Sequence, residues 1–503
     1  MQNKFIKNIV FGFGGQFIIL ILGIIIPRIM IVNYGSDVNG LITTVTQIFT
    51  YMALLEAGIG QAAKNALFKP IAENNQNEIS KIIVIAQSYF RKITIFYGIG
   101  VLILSVVAPF LLKSNLSYST ICLVILFQGL SGVVTFYYTQ TNYVILDADG
   151  RGYVNNAINL FNQICSYLAR IILALLGVNI VFIQVSFFLI SVCKALLYKS
   201  YFKKHYNWIN YTINTKNEKL KDRNAYIISE VAWTVFSSTD MIILSIFVST
   251  QLASVYSVYN LVFANLNVLL TAVYNSVNYI LGQTFHKNRE LYIKIHDAYN
   301  SIFLGGITIL MCVAYILILP FVQLYTRGVT DINYIYPMLP VIFCLIQILS
   351  WSRYVTGNLT AVAGYAKYTG YVSVAEATIN ILLSVILVNK YGIVGVGIAT
   401  VIALPLKIIV CTYLSDKVIL KRSCKKTIII LFANYLVFGT AVWSSNYLNL
   451  SINNYFEFFL YGILFFVIFA VLGMFVNMIA NPNLIKMSKL MYSKVCNYIK
   501  GRK

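Results

Sequence analysis

Residues 8–60 read NIVFGFGGQFIILILGIIIPRIMIVNYGSDVNGLITTVTQIFTYMALLEAGIG. Two apolar runs, each long enough to cross a hydrocarbon layer of about 30 Å, flank the brief polar turn NYGSDVNG. The same design repeats along the chain, and fourteen runs are read: 8–32, 38–60, 91–112, 118–143, 153–176, 179–199, 225–248, 253–279, 298–322, 337–362, 370–388, 392–414, 427–445 and 456–476. Lipid offers no partner to a backbone amide, so runs of this length must be helices, and the fold class is an all-α polytopic membrane protein with fourteen transmembrane helices. Composition agrees, with 59% hydrophobic and 11% charged residues and a mean hydropathy of +0.76 over 503 residues. The longest polar stretch, 199–224, is too short to bury a core of its own. The first run exceeds a signal-peptide core and lacks a small-residue cleavage site, so it is expected to stay as an anchor.

Charge sets the orientation, because Lys and Arg near helix ends remain on the cytoplasmic side. One side collects Lys4, Lys7 and the basic residues of 64–92, 194–223, 287–294, 417–426 and 486–503, while the other has Lys113, Arg327 and Lys390. Both termini are expected to be cytoplasmic. The net charge of +22 is spread over turns with no folded domain to present it to a duplex. It therefore points to topology and anionic lipid, and nucleic acid is not expected as a partner. Eight cysteines form no CxxC pair, and His205, His286 and His296 lie in turns without a facing carboxylate cluster, so no metal and no cofactor are expected. GIVGVG at 392–397 has no preceding strand to make a nucleotide loop and is read as helix packing. LDADGRG at 146–152 begins like a calcium loop but has Ile158 at the twelfth position, and is read as a tight turn.

What remains is polarity inside the spans, where an ionised side chain costs about 2.5–3.5 kcal/mol and needs a partner, a cavity or a ligand. The cations Arg28, Arg170, Arg353 and Lys407 and the acids Glu56, Glu230, Asp240 and Glu376 qualify. Structural ion pairs are the alternative for some of them, and snorkelling is the alternative for Arg28 and Lys407 near helix ends. Helical spacing gathers further polar residues. Asn156, Asn159, Gln163, Ser166 and Arg170 share an arc of roughly 80°, and Tyr256, Asn260, Asn267, Thr271, Tyr274 and Asn278 share one of roughly 60°. Glu230, Trp233, Ser237 and Asp240, and then Thr369, Ser373, Glu376 and Asn380, add two more stripes. Amides of this kind also join packed helices, but stripes of such length, centred on charge, favour the lining of a hydrated path.

The order of spans divides the chain into a lobe at 1–200 with six spans, a basic linker at 201–224, a second six-span lobe at 225–416, a helix pair at 427–478 and a basic tail at 479–503. Both lobes open with a span, a brief outer turn, a second span and a longer cytoplasmic stretch, as transporters built from parallel repeats do. No Walker motif is present. A membrane polymerase or glycosyltransferase would need a large outer loop with paired acids or arginines. Here Asp37 stands alone in NYGSDVNG, and the longest outer turn, 326–336, offers Arg327 and Asp331.

The sequence resembles the polysaccharide (O-antigen type, Wzx-like) flippases of the multidrug/oligosaccharidyl-lipid/polysaccharide (MOP) exporter superfamily over nearly its whole length. The resemblance rests on IPRIMIVNYGSDVNGL with LLEAGIGQAAKNALFKPIAENN, on LDADGRGYVNN leading to LARIILA, on STDMIIL with SVYSVYN, on TAVAGYAKYT, and on EATINILLSVILVNKYGIVGVGIAT. It implies a bacterial inner-membrane transporter, not an enzyme. Such a protein moves an undecaprenyl-diphosphate-linked oligosaccharide to the periplasmic leaflet by alternating access, alongside other polysaccharide assembly proteins. It also implies that Arg28 and Glu56 are a cationic and an acidic cavity residue and that Asp240 is the acid of the seventh span. The chemistry fits: cations offset a diphosphate, while Gln163, Asn159, Tyr256, Asn260, Asn267, Tyr274 and Asn380 replace water around sugars. Two alternatives keep the fold and change the cargo, to a lipid-linked peptidoglycan precursor or to a drug exchanged for an ion. The sequence leaves open whether H+ or Na+ couples to transport.

Overall fold

Within the computed structural model, residues 15–56, 59–213, 234, 239–287, 289–448, 450, 452–482 and 484 are described, and every regular element among them is a helix. Eleven stretches are long and apolar enough to cross a membrane. Two of these contain a sharp break. Helix α1 (Gly15–Ala53) turns at Gly35, with φ of 82°, between the expected runs 8–32 and 38–60. The break in the long helix Ala366–Ala403 falls at Gly392, with φ of 55°, the first residue of the expected run 392–414 after 370–388. Positive φ is open to glycine at little cost, so both breaks are written into the residue type. The expected seventh run, 225–248, lies largely outside the described residues, as do 1–14 and most of the basic tail.

Two compact units emerge, Met1–Ser257 with Gly328–Ile332, and Val258–Arg327 with Asn333–Lys503. In the first, α1 is followed by α2 (Ile59–Ala72), α3 (Gln76–Leu111), α4 (Tyr118–Val134), a π-helical turn at Thr135–Thr139, α5 (Gln140–Ala148), α6 (Gly152–Leu175) and α7 (Ile180–His205). The stretch 61–91 is thus helical apart from a turn at 73–75. Ile59, Ala63 and Leu67, spaced by four, form one face of α2 and pack with Ile79, Ile83, Phe90 and Tyr198. Asn75 caps α3 by accepting from the Glu78 amide at 3.1 Å.

Polar turns in this unit are held by acids. Asp37 accepts from Ser114 Oγ at 2.9 Å, from the Asn115 amide at 2.7 Å and from the Thr250 hydroxyl. Asp331 accepts from the Ser36 amide and hydroxyl at 2.6 and 2.8 Å. Both acids are therefore engaged in binding backbone and hydroxyl groups. The LDADGRG segment is a turn with Gly150 at φ of 70°, where Asp149 pairs with Arg151 at 2.8 Å and accepts from Tyr206 Oη at 2.7 Å.

The second unit begins within α8 (Thr250–Lys287) and continues through α9 (Arg289–Tyr325), α10 (Leu339–Ser352), α11 (Tyr354–Val362), α12 (Ala366–Ala403), α13 (Pro405–Tyr413), a π-helical turn at Leu414–Ile419, α14 (Lys425–Ser445) and α15 (Tyr455–Ala480). Small residues let helices close up, as expected for GIVGVG. A Cβ on Gly397 would fall 2.4 Å from the Ile342 side chain of α10. The final pair, α14 and α15, is sewn onto α9. Asn434 and Asn477 exchange two amide bonds of 3.1 Å, and Asn481 donates to the Asp297 carbonyl and to Ser301 Oγ at 3.0 Å each.

At the same end, Asp297 takes a bidentate pair of bonds from Arg422 at 2.9 and 2.7 Å, with Lys426 at 2.8 Å. Asp416 accepts from Arg422 Nε at 2.8 Å and from the Thr427 hydroxyl at 2.6 Å. Burial works against the Arg422 charge, but the two carboxylates outweigh it and hold its pKa above that of an ordinary arginine. Removing one partner of such a buried network leaves charge uncompensated. Asp297→Ala is expected to destabilise the second unit by about 3 kcal/mol, and adding Arg422→Met should deepen the loss, because it strands the buried Asp416 as well. Thermal unfolding of the detergent-solubilised chain reads both.

Candidate functional site

Among the described residues, three of the ionisable side chains expected within the spans come together in the second unit, where the α10–α11 joint faces α12 and α13. Helix α10 ends at Ser352 and α11 starts at Tyr354, leaving Arg353 as the single residue of the joint. Its Nη1 donates to Glu376 Oε1 of α12, and the two residues are 4% and 2% exposed. At that burial water cannot stand in for either partner, so each charge depends on the other. Lys407 sits in the first turn of α13, just after Pro405, and its Nζ donates at 2.6 Å to Ser373 Oγ, one helical turn before Glu376. Lys407 also interacts electrostatically with Glu376.

Aromatic rings surround the joint. Trp351 and Tyr354 lie 4.2 Å apart between centroids, Tyr274 meets Tyr354 edge-on at 5.1 Å, and Phe303 meets Trp351 edge-on at 5.6 Å. Trp351 Nε1 donates to Asn267 Oδ1 at 2.8 Å, and Tyr274 Oη donates to the Tyr354 carbonyl at 3.4 Å. Asn380 is buried and donates to Thr400 Oγ1 at 2.8 Å, linking the two halves of α12 across the Gly392 break. Asn267 and Asn380 therefore act as links between packed segments, whereas Asn260 is half-buried on α8. The structure brings Arg353, Glu376 and Lys407 together as one group.

The first unit holds its polar side chains separately. Arg28 is half-buried on α1, which packs along α6. Glu56 ends a short 3-10 turn and accepts from Gln140, the residue that opens α5 after the π-helical turn. The Arg170 guanidinium lies 4.7 Å from the centroid of the Phe187 ring on α7, while its Nε is buried without a hydrogen-bond partner. Asn159 and Gln163 are half-buried on α6. Asp240 Oδ2 accepts from Tyr256 Oη at 2.6 Å, and Tyr51 Oη contacts the Thr239 hydroxyl. Glu230 lies outside the described residues. Gln140, Phe187, Thr239 and Thr400 were not among the residues expected from sequence, since a neutral partner on a distant helix carries no local signal. No group of three His, Cys, Asp or Glu side chains among the described residues is placed to hold a metal ion.

No family model matches the chain, and no curated protein matches it. Solved structures do. The chain is similar to the lipid II flippase MurJ in an inward closed conformation, with TM-score 0.67 and 16% identity over 92% of this chain and 98% of that one. It is similar to an inward-facing multidrug resistance MATE family transporter of the MOP superfamily, with TM-score 0.62 and 13% identity over 85% and 96%. A third is a MOP superfamily transporter from Pyrococcus furiosus, described as having a binding pocket of reverse polarity, with TM-score 0.58 and 14% identity over 82% and 94%. At these identities the likeness establishes the fold, which is that of MOP transporters.

The Arg353–Glu376 pair makes its own thermodynamic statement. Arg353→Met alone strands a buried carboxylate and should lower the unfolding temperature more than Arg353→Met with Glu376→Leu, in which both charges are gone. A double-mutant cycle by thermal unfolding measures the coupling.

Proposed function

We propose that this protein is a flippase of the bacterial inner membrane that carries an undecaprenyl-diphosphate-linked oligosaccharide to the periplasmic leaflet by alternating access, for surface polysaccharide assembly. The observation that carries this reading is the group formed by Arg353, Glu376 and Lys407 inside membrane helices of the second unit, in a fold shared with MOP transporters. Two cations and one acid give a net charge of +1, which suits an anionic headgroup better than a cationic drug. Arg28 and Arg170 are the matching cations of the first unit. A guanidinium binds phosphate oxygens bidentately, and Lys407 adds a point charge. Rings such as Tyr274 and Tyr354 can stack on sugar faces. Glu376 holds Arg353 when cargo is absent.

The polyprenyl tail remains in lipid, so the headgroup alone needs shelter. No cofactor is required: an inside-negative potential favours outward movement of each negative charge by about 2.3 kcal/mol per 100 mV, and H+ or Na+ is the candidate coupling ion. Other polysaccharide assembly proteins would act on the product. A second reading, a lipid-linked peptidoglycan precursor as cargo, is favoured by the likeness to a lipid II flippase. The drug antiporter reading is less well supported, because it calls for an acid-rich site.

Arg28→Ala, Arg170→Ala and Arg353→Ala together are expected to abolish surface polysaccharide while leaving the amount of membrane-inserted protein unchanged, as read by glycan staining and membrane immunoblot. Normal polysaccharide in the triple variant overturns the assignment. Rescue of a strain depleted of its lipid II flippase would select the second reading.

A further inference from the structure

Glu376 is 2% exposed, and its hydrogen-bond partner among the described residues is Arg353. The groups that face it come from three directions: Arg353 at the α10–α11 joint, Tyr354 on α11, and Lys407 and Cys411 on α13. No second carboxylate acts on it among the described residues. The nearer cation, Arg353, is committed to it, and Lys407 is committed to Ser373. An anion that takes the guanidinium would leave a charged carboxylate in a place water does not reach, beside a newly arrived negative charge. Both effects penalise the ionised acid.

We propose that Glu376 is an exchangeable counter-ion: an anionic headgroup that captures Arg353 displaces Glu376, which takes up one proton from solution, so that anion binding and proton uptake are one linked event. The inference rests on the reading of Arg353 as an anion-binding group. The balance is simple. The guanidinium keeps its charge and exchanges one oxyanion partner for another, and the released carboxylate becomes a neutral acid.

The sign follows from linkage. Where the empty site is ionised and the complex is protonated at Glu376, the dissociation constant rises about tenfold for each unit of increasing pH. The probe is inorganic pyrophosphate, titrated calorimetrically into the full-length chain in detergent between about pH 6 and pH 8, in pairs of buffers with different ionisation enthalpies. Pyrophosphate titrates in the same range, so its own protons are subtracted by comparison with Glu376→Gln, which keeps the shape of the side chain and cannot ionise. The expected result is one more proton taken up by the wild type than by E376Q, and a pH dependence steeper by about tenfold per unit. In E376Q binding should also be tighter at high pH, since the competing carboxylate is gone.

If E376Q does not fold, the proton count on the wild type in the two buffers, corrected for free pyrophosphate, still decides the question. Equal proton uptake with retained binding overturns the linkage alone and means that Glu376 keeps its charge by turning to Lys407. Failure of the wild type to bind pyrophosphate more tightly than Arg353→Ala overturns the anion-site reading, and this inference with it.

Discussion

A charge buried among apolar helices needs a partner, and an opposite charge is the strongest one available. In the second unit, Arg353 and Glu376 answer each other at the α10–α11 joint, and Asp297, Asp416, Arg422 and Lys426 do so where α9, α14 and α15 converge. The two arrangements look alike chemically but differ in redundancy. Asp297 has two cationic partners and Asp416 has a hydroxyl besides its guanidinium, so the network holds if one contact loosens. Among the described residues Glu376 has one hydrogen-bonding partner, Arg353, so loss of that single contact would change the state of the whole group. Stability belongs to the first arrangement and responsiveness to the second.

Much of the helical framework was legible because its causes are local. Span length follows from bilayer thickness, and the breaks at Gly35 and Gly392 fall where the hydropathy pattern had already separated two runs. Gly395 and Gly397 announced close packing by being small. The stretch 61–91 was legible only as polar, since its two helices pack against an apolar face supplied by Val144, Leu146, Tyr198 and Phe202 from elsewhere in the chain.

The site was legible as an inventory but not as a set of pairings. Spacing put Ser373 and Glu376 on one face of a helix, yet nothing in the sequence says that Arg353 reaches Glu376, that Lys407 settles on Ser373, or that Gln140 serves Glu56. The Asn stripes show the limit most clearly. Asn267 and Asn380 fit the periodicity of a wet face, and both are engaged by Trp351 and Thr400. Periodicity locates the polar face of a helix, whereas a packed neighbour decides what that face does. The same separation explains how a chain can share the MurJ fold at 16% identity. Length, breaks and small residues are met by many sequences, and the polar side chains are free to differ.

The amide exchange between Asn434 and Asn477, with Asn481 anchored on Asp297 and Ser301, makes the last two helices a continuation of α9 rather than an accessory. A shortened chain ending before Lys425 would uncover Asp297, Ser301 and Gly305, against which Asn477 packs, along a surface that lipid would then wet. Evolution could therefore trim or replace this hairpin only by rewriting α9 at the same time, which ties the length of the protein to the polarity of one interior helix.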